Sequence, residues 1–110
     1  MDTTTSTTIT RQATAALHAI TQHAVDHCLP APMSIDTDAE GIEVTVVSFD
    51  APRWLATVHV DSRLTEPRSH GFVTRHTVRL PDTGVKFRIR YLHRDREQVV
   101  GTVAMAGGRS

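Results

Sequence analysis

Apolar positions near the start of the chain recur every three or four residues: Ile9, Ala13, Ala16, Leu17, Ile20, Ala24 and Cys28. At about 100° per residue they fall on one side of a helical wheel, which predicts an amphipathic helix over residues 8–28. Thr7 or Thr8 supplies its N-cap, and Pro30 and Pro32 stop it. Residues 1–6 are polar, Thr-rich and without period, so they are expected to be disordered.

Past the prolines the period changes to two. Met33–Asp36 reads as a short strand, Asp38–Gly41 as a turn and the β-branched run Ile42–Phe49 as a second strand. Ala51, Trp54, Leu55 and Val58 fit a helix, while Trp54, Ala56, Val58 and Val60 fit a strand. Asp50 as N-cap and Pro52 in the first turn are helix-start chemistry, so a short helix over 51–59 is expected. Residues 61–71 are polar, with Pro67 and Gly71 as punctuation, and read as a loop. The clearest pattern follows: Phe72–Leu80 alternates, Pro81-Asp82-Thr83-Gly84 has turn chemistry, and Val85–Leu92 alternates again. Gln98–Met105 is apolar enough for a fifth strand, and residues 106–110 are Gly-rich and expected to fray. The fold class is therefore α+β in the order α-β-β-α-β-β, an antiparallel sheet with the first helix packed on one face. One domain over residues 7–105 accounts for the whole chain of 110.

Three segments resemble small proteins common in Streptomyces and related actinobacteria: Leu29-Pro30-Ala31-Pro32 after the first helix, Thr74-Arg75-His76 in a strand, and Leu80-Pro81-Asp82-Thr83-Gly84-Val85 at the hairpin turn. The resemblance covers residues 29–92 and implies an actinobacterial origin and a helix-hairpin-helix-hairpin order. Its motifs are structural punctuation and imply no function.

Charge adds a feature that periodicity does not show. The formal net charge is zero, yet residues 1–50 hold seven acids against Arg11 alone, and residues 51–110 hold eleven bases and five acids. If Leu80 pairs with Val85 across the hairpin loop, Arg79 faces Lys86 and Arg75 faces Arg90. Together with Arg88 these cations share one exposed face, and like charges directly opposite one another destabilise a sheet. Two arrangements offset that repulsion. Glu43, Asp36 and Asp38 of the acidic half can lie beside the cations, or an anionic partner, nucleic acid or acidic protein, can cover them. Zero net charge and the lack of aromatic residues among the cations weigh against nucleic acid.

Candidate chemistry elsewhere is sparse. His23 and His27 stand four apart with Cys28 adjacent, a spacing that suits a shared metal. The wheel, however, places His27 near the centre of the apolar stripe and His23 at its edge, with Cys28 about 100° round from His27. No metal site is assigned. Cys28 has His76 and His93 as conceivable bases, but no GxSxG, P-loop, HExxH or GxGxxG accompanies them, so neither a catalytic site nor a cofactor is expected. Trp54, Leu55 and Val58 are either a core anchor or a contact with a second copy. A single cysteine, no signal-peptide pattern and no apolar run of membrane length make the expected location cytoplasmic, with no membrane partner. The expectation is a small non-enzymatic binding or regulatory module acting through protein contacts, a homodimer included. The alternative is a nucleic-acid-associated factor using Arg75, Arg79, Lys86, Arg88 and Arg90.

Overall fold

A computed structural model describes residues 2–94, with side chains from residue 11 onward. The fold is α+β: one mixed sheet of five strands with both helices on the same side. The expected strand at Gln98–Met105 and the fraying of 106–110 lie outside the described residues.

Helix α1 runs Asp2–Asp26, so it starts six residues ahead of Thr8, and residues 2–6 are helical rather than disordered. Once a helix is nucleated each further residue adds a hydrogen bond at little extra cost, and no Gly or Pro interrupts the Thr-rich start. Its C-terminus is a Schellman-type cap. The N–H of Leu29 donates to the carbonyl of Ala24 at 2.9 Å and that of Cys28 to Val25 at 3.1 Å. Cys28 takes φ of 54°, the left-handed conformation such a cap requires and glycine adopts most easily.

Strands β1 (Ser34–Asp38) and β2 (Gly41–Thr45) form the first hairpin. Strand β2 is shorter than the β-branched run, which leaves the sheet after Val46. Helix α2 covers only Ala51–Leu55 of the expected 51–59. The chain then enters β3 (His59–Arg68), where a polar loop was expected. Strand β3 is the sheet's outer edge and most of it is exposed, so it needs no alternating apolar pattern. Pro67 is tolerated at such an edge, and a bulge at Asp61, between Val60 and Ser62, shifts the register.

Strands β4 (Gly71–Arg79) and β5 (Lys86–His93) pair in the expected register, with Arg79 opposite Lys86 and Arg75 opposite Arg90. Their turn closes through Leu80 and Val85, backbone N–H to O 2.9 Å, with Gly84 at φ of 74°.

The sheet order β1-β2-β5-β4-β3 corrects the antiparallel expectation. Strands β2 and β5 run parallel, Val44 beside Ile89, because the segment carrying α2 takes the chain across the sheet to the far edge before β3 and β4 fold back. Ile20 of α1, Ala51 and Trp54 of α2, and Ile42, Val44, Val46, Val78, Phe87, Ile89 and Tyr91 of the sheet form the core. Trp54 is 1% exposed, and its indole N–H donates to the carbonyl of Pro30 at 3.0 Å. It is a core anchor, which corrects its candidacy as an interface residue. Leu55 and Val58 are half-buried against the same core.

Candidate functional site

The register places alternate residues on the face that neither helix covers. From one edge to the other it carries Asp36 and Asp38 (β1), Glu43 (β2), Lys86, Arg88 and Arg90 (β5), Arg75 and Arg79 (β4), and Leu64 and Glu66 (β3). The five candidate cations are therefore brought together, as the hairpin register requires.

Three of them are neutralised from within. Arg75 donates through Nε to Glu43 at 2.8 Å and through Nη1 to Glu66 at 3.3 Å. Arg88 reaches Glu40 at 3.1 Å and Asp38 at 3.2 Å. Arg79 grips both oxygens of Asp61, at 2.9 and 3.0 Å, a two-point pairing. The bulge at Asp61 lies beside the His59–Arg79 pair, which is where its carboxylate is needed. These contacts move proton affinities in the expected directions. Arg79 holds the Asp61 carboxyl below its ordinary value, and Glu43 raises that of Arg75. Asp38 is lowered chiefly by the backbone N–H of Glu40, with Arg88 adding to it.

Lys86 and Arg90 have no ion-pair partner among the described residues. On the acidic side Asp36 receives only the hydroxyl of Ser34, at 3.4 Å. Glu43 and Asp38 act as the sequence expects. Asp61 and Glu66 were hidden because their segment reads as a loop, and Glu40 because it sits in a turn; no local signal marks any of them as an arginine partner.

No family model matches the chain, and no curated protein matches it in sequence.

The opposite face holds a second polar group of residues, inside the protein. Thr65 and Thr74 share a hydrogen bond of 2.8 Å, Thr74 meets His93 Nε2 at 2.9 Å, and His76 Nε2 meets the Tyr91 hydroxyl at 3.0 Å. Burial pushes the His76 imidazole down to about 4, and its Nδ1 has no hydrogen-bond partner among the described residues. His76 and His93 are thus engaged with Tyr91 and Thr74, while Cys28 is exposed at the end of α1, where its carbonyl accepts from Arg53 at 3.1 Å. Periodicity shows that positions 74, 76, 91 and 93 share a face but not that the face is internal.

His23 is 7% exposed and His27 is exposed, the reverse of the wheel's ranking. Helix α1 ends at Asp26, so His27 lies past the last turn that packs on the sheet. The two rings are 4.2 Å apart, and His23 Nε2 is 2.9 Å from the hydroxyl of Thr57, which itself donates to the Trp54 carbonyl. Burial lowers the His23 proton affinity, and His27 lowers it further. Among the described residues no group of three or more His, Cys, Asp or Glu side chains is placed to hold a metal ion. No described helix is long and apolar enough to cross a membrane.

Proposed function

We propose that this chain is a non-enzymatic binding module that works through protein contacts on the face of its sheet that neither helix covers, and that the occupant of that face is a second copy. The order of charge across the strands carries the reading. Carboxylates stand on β1 and β2, and cations on the adjoining β5 and β4. A two-fold axis along the strands, between β2 and β5, lays the acidic pair of each copy over the basic pair of the other. Asp36, Lys86 and Arg90, without an ion pair among the described residues, lie in the overlapping strands.

Size and rigidity support it. Five strands about 4.8 Å apart and about eight residues long present on the order of 600 Å², near the roughly 800 Å² per partner of a stable complex. Ion pairs already hold Arg75 and Arg88 in place, which lowers the entropy lost on docking. Leu64 and Leu92, 56% and 50% exposed, supply apolar area. The internal pairing of three of the five cations favours this reading over a nucleic-acid backbone. A lone, exposed cysteine suits a reducing compartment, which supports action in the cytoplasm.

Sedimentation equilibrium tests it. The wild-type chain is expected to dimerise more weakly as salt rises, and Asp36→Lys or Lys86→Glu, at groups with no ion pair among the described residues, each to give monomer while melting normally. Mixing the two variants should restore a dimer. A monomeric wild type would overturn the reading, and tight, steeply salt-dependent binding of duplex DNA by that monomer would favour the nucleic-acid alternative.

A further inference from the structure

We propose that the end of the sheet beyond Arg90 holds a separate small-molecule site, a cationic pocket for an organic carboxylate with a flat apolar body. The pocket lies between the β3–β4 turn and the last residues of β5, and its volume is about 440 Å³. That is within the range of roughly 300–1,000 Å³ typical of small-ligand sites. It is lined by Arg68, Arg90, Arg94 and His70 together with the apolar Phe72 and Leu92, and no carboxylate among the described residues lines it. Elsewhere on the sheet each paired arginine meets its own acid. Here Arg90 meets none among the described residues, and Arg68 has only Glu66, at 3.6 Å, which Arg75 also holds.

The walls are fixed. Gly71, at φ of 144°, brings the turn so close to the carbonyl of His93 that a Cβ would collide with it. The Phe72 ring stacks on that of His93 with centroids 5.7 Å apart. Apolar side chains from the two faces of the sheet end, beside several guanidinium groups, match an anion attached to an apolar body. A carboxylate takes two parallel hydrogen bonds from one arginine, and its ring displaces water from Phe72 and Leu92. Arg90 and Leu92 belong also to the face proposed for the second copy, so ligand and partner compete there, whereas Arg94, Phe72 and His70 take no part in the charge match between copies.

Titration of the full chain with 1-naphthoate, followed by calorimetry and by two-dimensional NMR of the histidine rings, tests the proposal. Binding is expected with Kd of tens of micromolar, and 1-naphthamide or acetate at least about tenfold weaker, because each lacks one half of the match. Arg90→Gln and Arg94→Gln should each weaken naphthoate by about fivefold or more, with the His70 and His93 signals moving in the wild type. Arg79→Gln, outside the pocket, should leave affinity unchanged, and Lys86→Glu, also outside it, should leave it unchanged or raise it where loss of the dimer uncovers Arg90. Equal binding of naphthoate and naphthamide, naphthoate affinity unchanged in both arginine variants, or no binding at millimolar ligand would each overturn the site.

Discussion

His76 shows how one buried group ties stability to pH. Its ring is 7% exposed and hydrogen-bonded to Tyr91, and the first cause of its low proton affinity is burial, with the nearby Arg63 adding to it. In the unfolded chain the imidazole takes up a proton near 6.5, and in the folded chain only near 4. Between those values the unfolded state binds more protons, so stability is complete above about pH 6.5 and declines as pH falls towards 4. The loss from this residue is on the order of 1–3 kcal/mol. His23 is shifted in the same direction and adds to the decline. Asp38 and Asp61, lowered from their ordinary 3.8, lose their contribution only at lower pH still. Urea melts at pH 7 and pH 4.5 should therefore differ markedly in the wild type and less in His76→Phe. An undiminished gap in the variant would assign the acid sensitivity to other residues.

At the scale of elements, the β4–β5 hairpin carries two opposed cation pairs, and the neighbouring strands resolve one cation of each. Arg75 is held by Glu43 from β2 across the sheet and by Glu66 from β3, while Arg90, directly opposite, has no such support. Replacing the two residues should therefore have opposite effects. Arg75→Thr takes the nearest cation from two half-buried carboxylates, leaving only the longer contacts of Arg68 and Arg88, and is expected to cost about 1 kcal/mol at low salt, less at high salt. Arg90→Thr removes only the repulsion and is expected to leave stability level or raise it by a few tenths of a kcal/mol. Melts of both variants at two salt concentrations measure the difference. Equal destabilisation by both would show that Arg90 has a structural partner of its own. The edge elements follow the same logic of charge: β3 protects its free edge with the Asp61 bulge, Pro67 and exposed charged side chains, and β1 with Asp36 and Asp38.

The whole molecule depends on one seam. The strands of the first hairpin and of the β3–β4–β5 meander join through the parallel pairing of Glu43–Thr45 with Arg88–Arg90, and Val44 and Ile89 stand side by side there with no exposure. Both helices cover that seam, so apolar burial by Ile20 and Trp54 holds together two units that local hydrogen bonding would leave apart. Ile89→Ala is expected to cost about 3–4 kcal/mol in one cooperative transition, against a few tenths for Leu64→Ala on the open face. Chemical denaturation monitored by Trp54 fluorescence checks both, and a biphasic curve for Ile89→Ala would mean that the two halves fold separately.

Local rules decided a definable share of this structure. The helix through Ile20, the turn at Pro81–Gly84 and the register that sets Arg79 against Lys86 were legible because periodicity and turn chemistry act over a few residues. Glu43 and Asp38 were legible as partners because β2 and its turn are themselves locally encoded. The tertiary structure alone decided the rest. Strand β3 has no apolar alternation, since an edge strand is stabilised by its neighbour's backbone rather than by its own burial. The parallel seam joins residues more than forty positions apart, for which no spacing rule exists. Trp54 faces inward because α2 crosses the sheet, and His27 outward because α1 ends at Asp26. The ion pairs of Asp61 and Glu66 and the cationic pocket beside Arg90 form only when distant strands are laid together, because an electrostatic partner is chosen by distance in space and not along the chain.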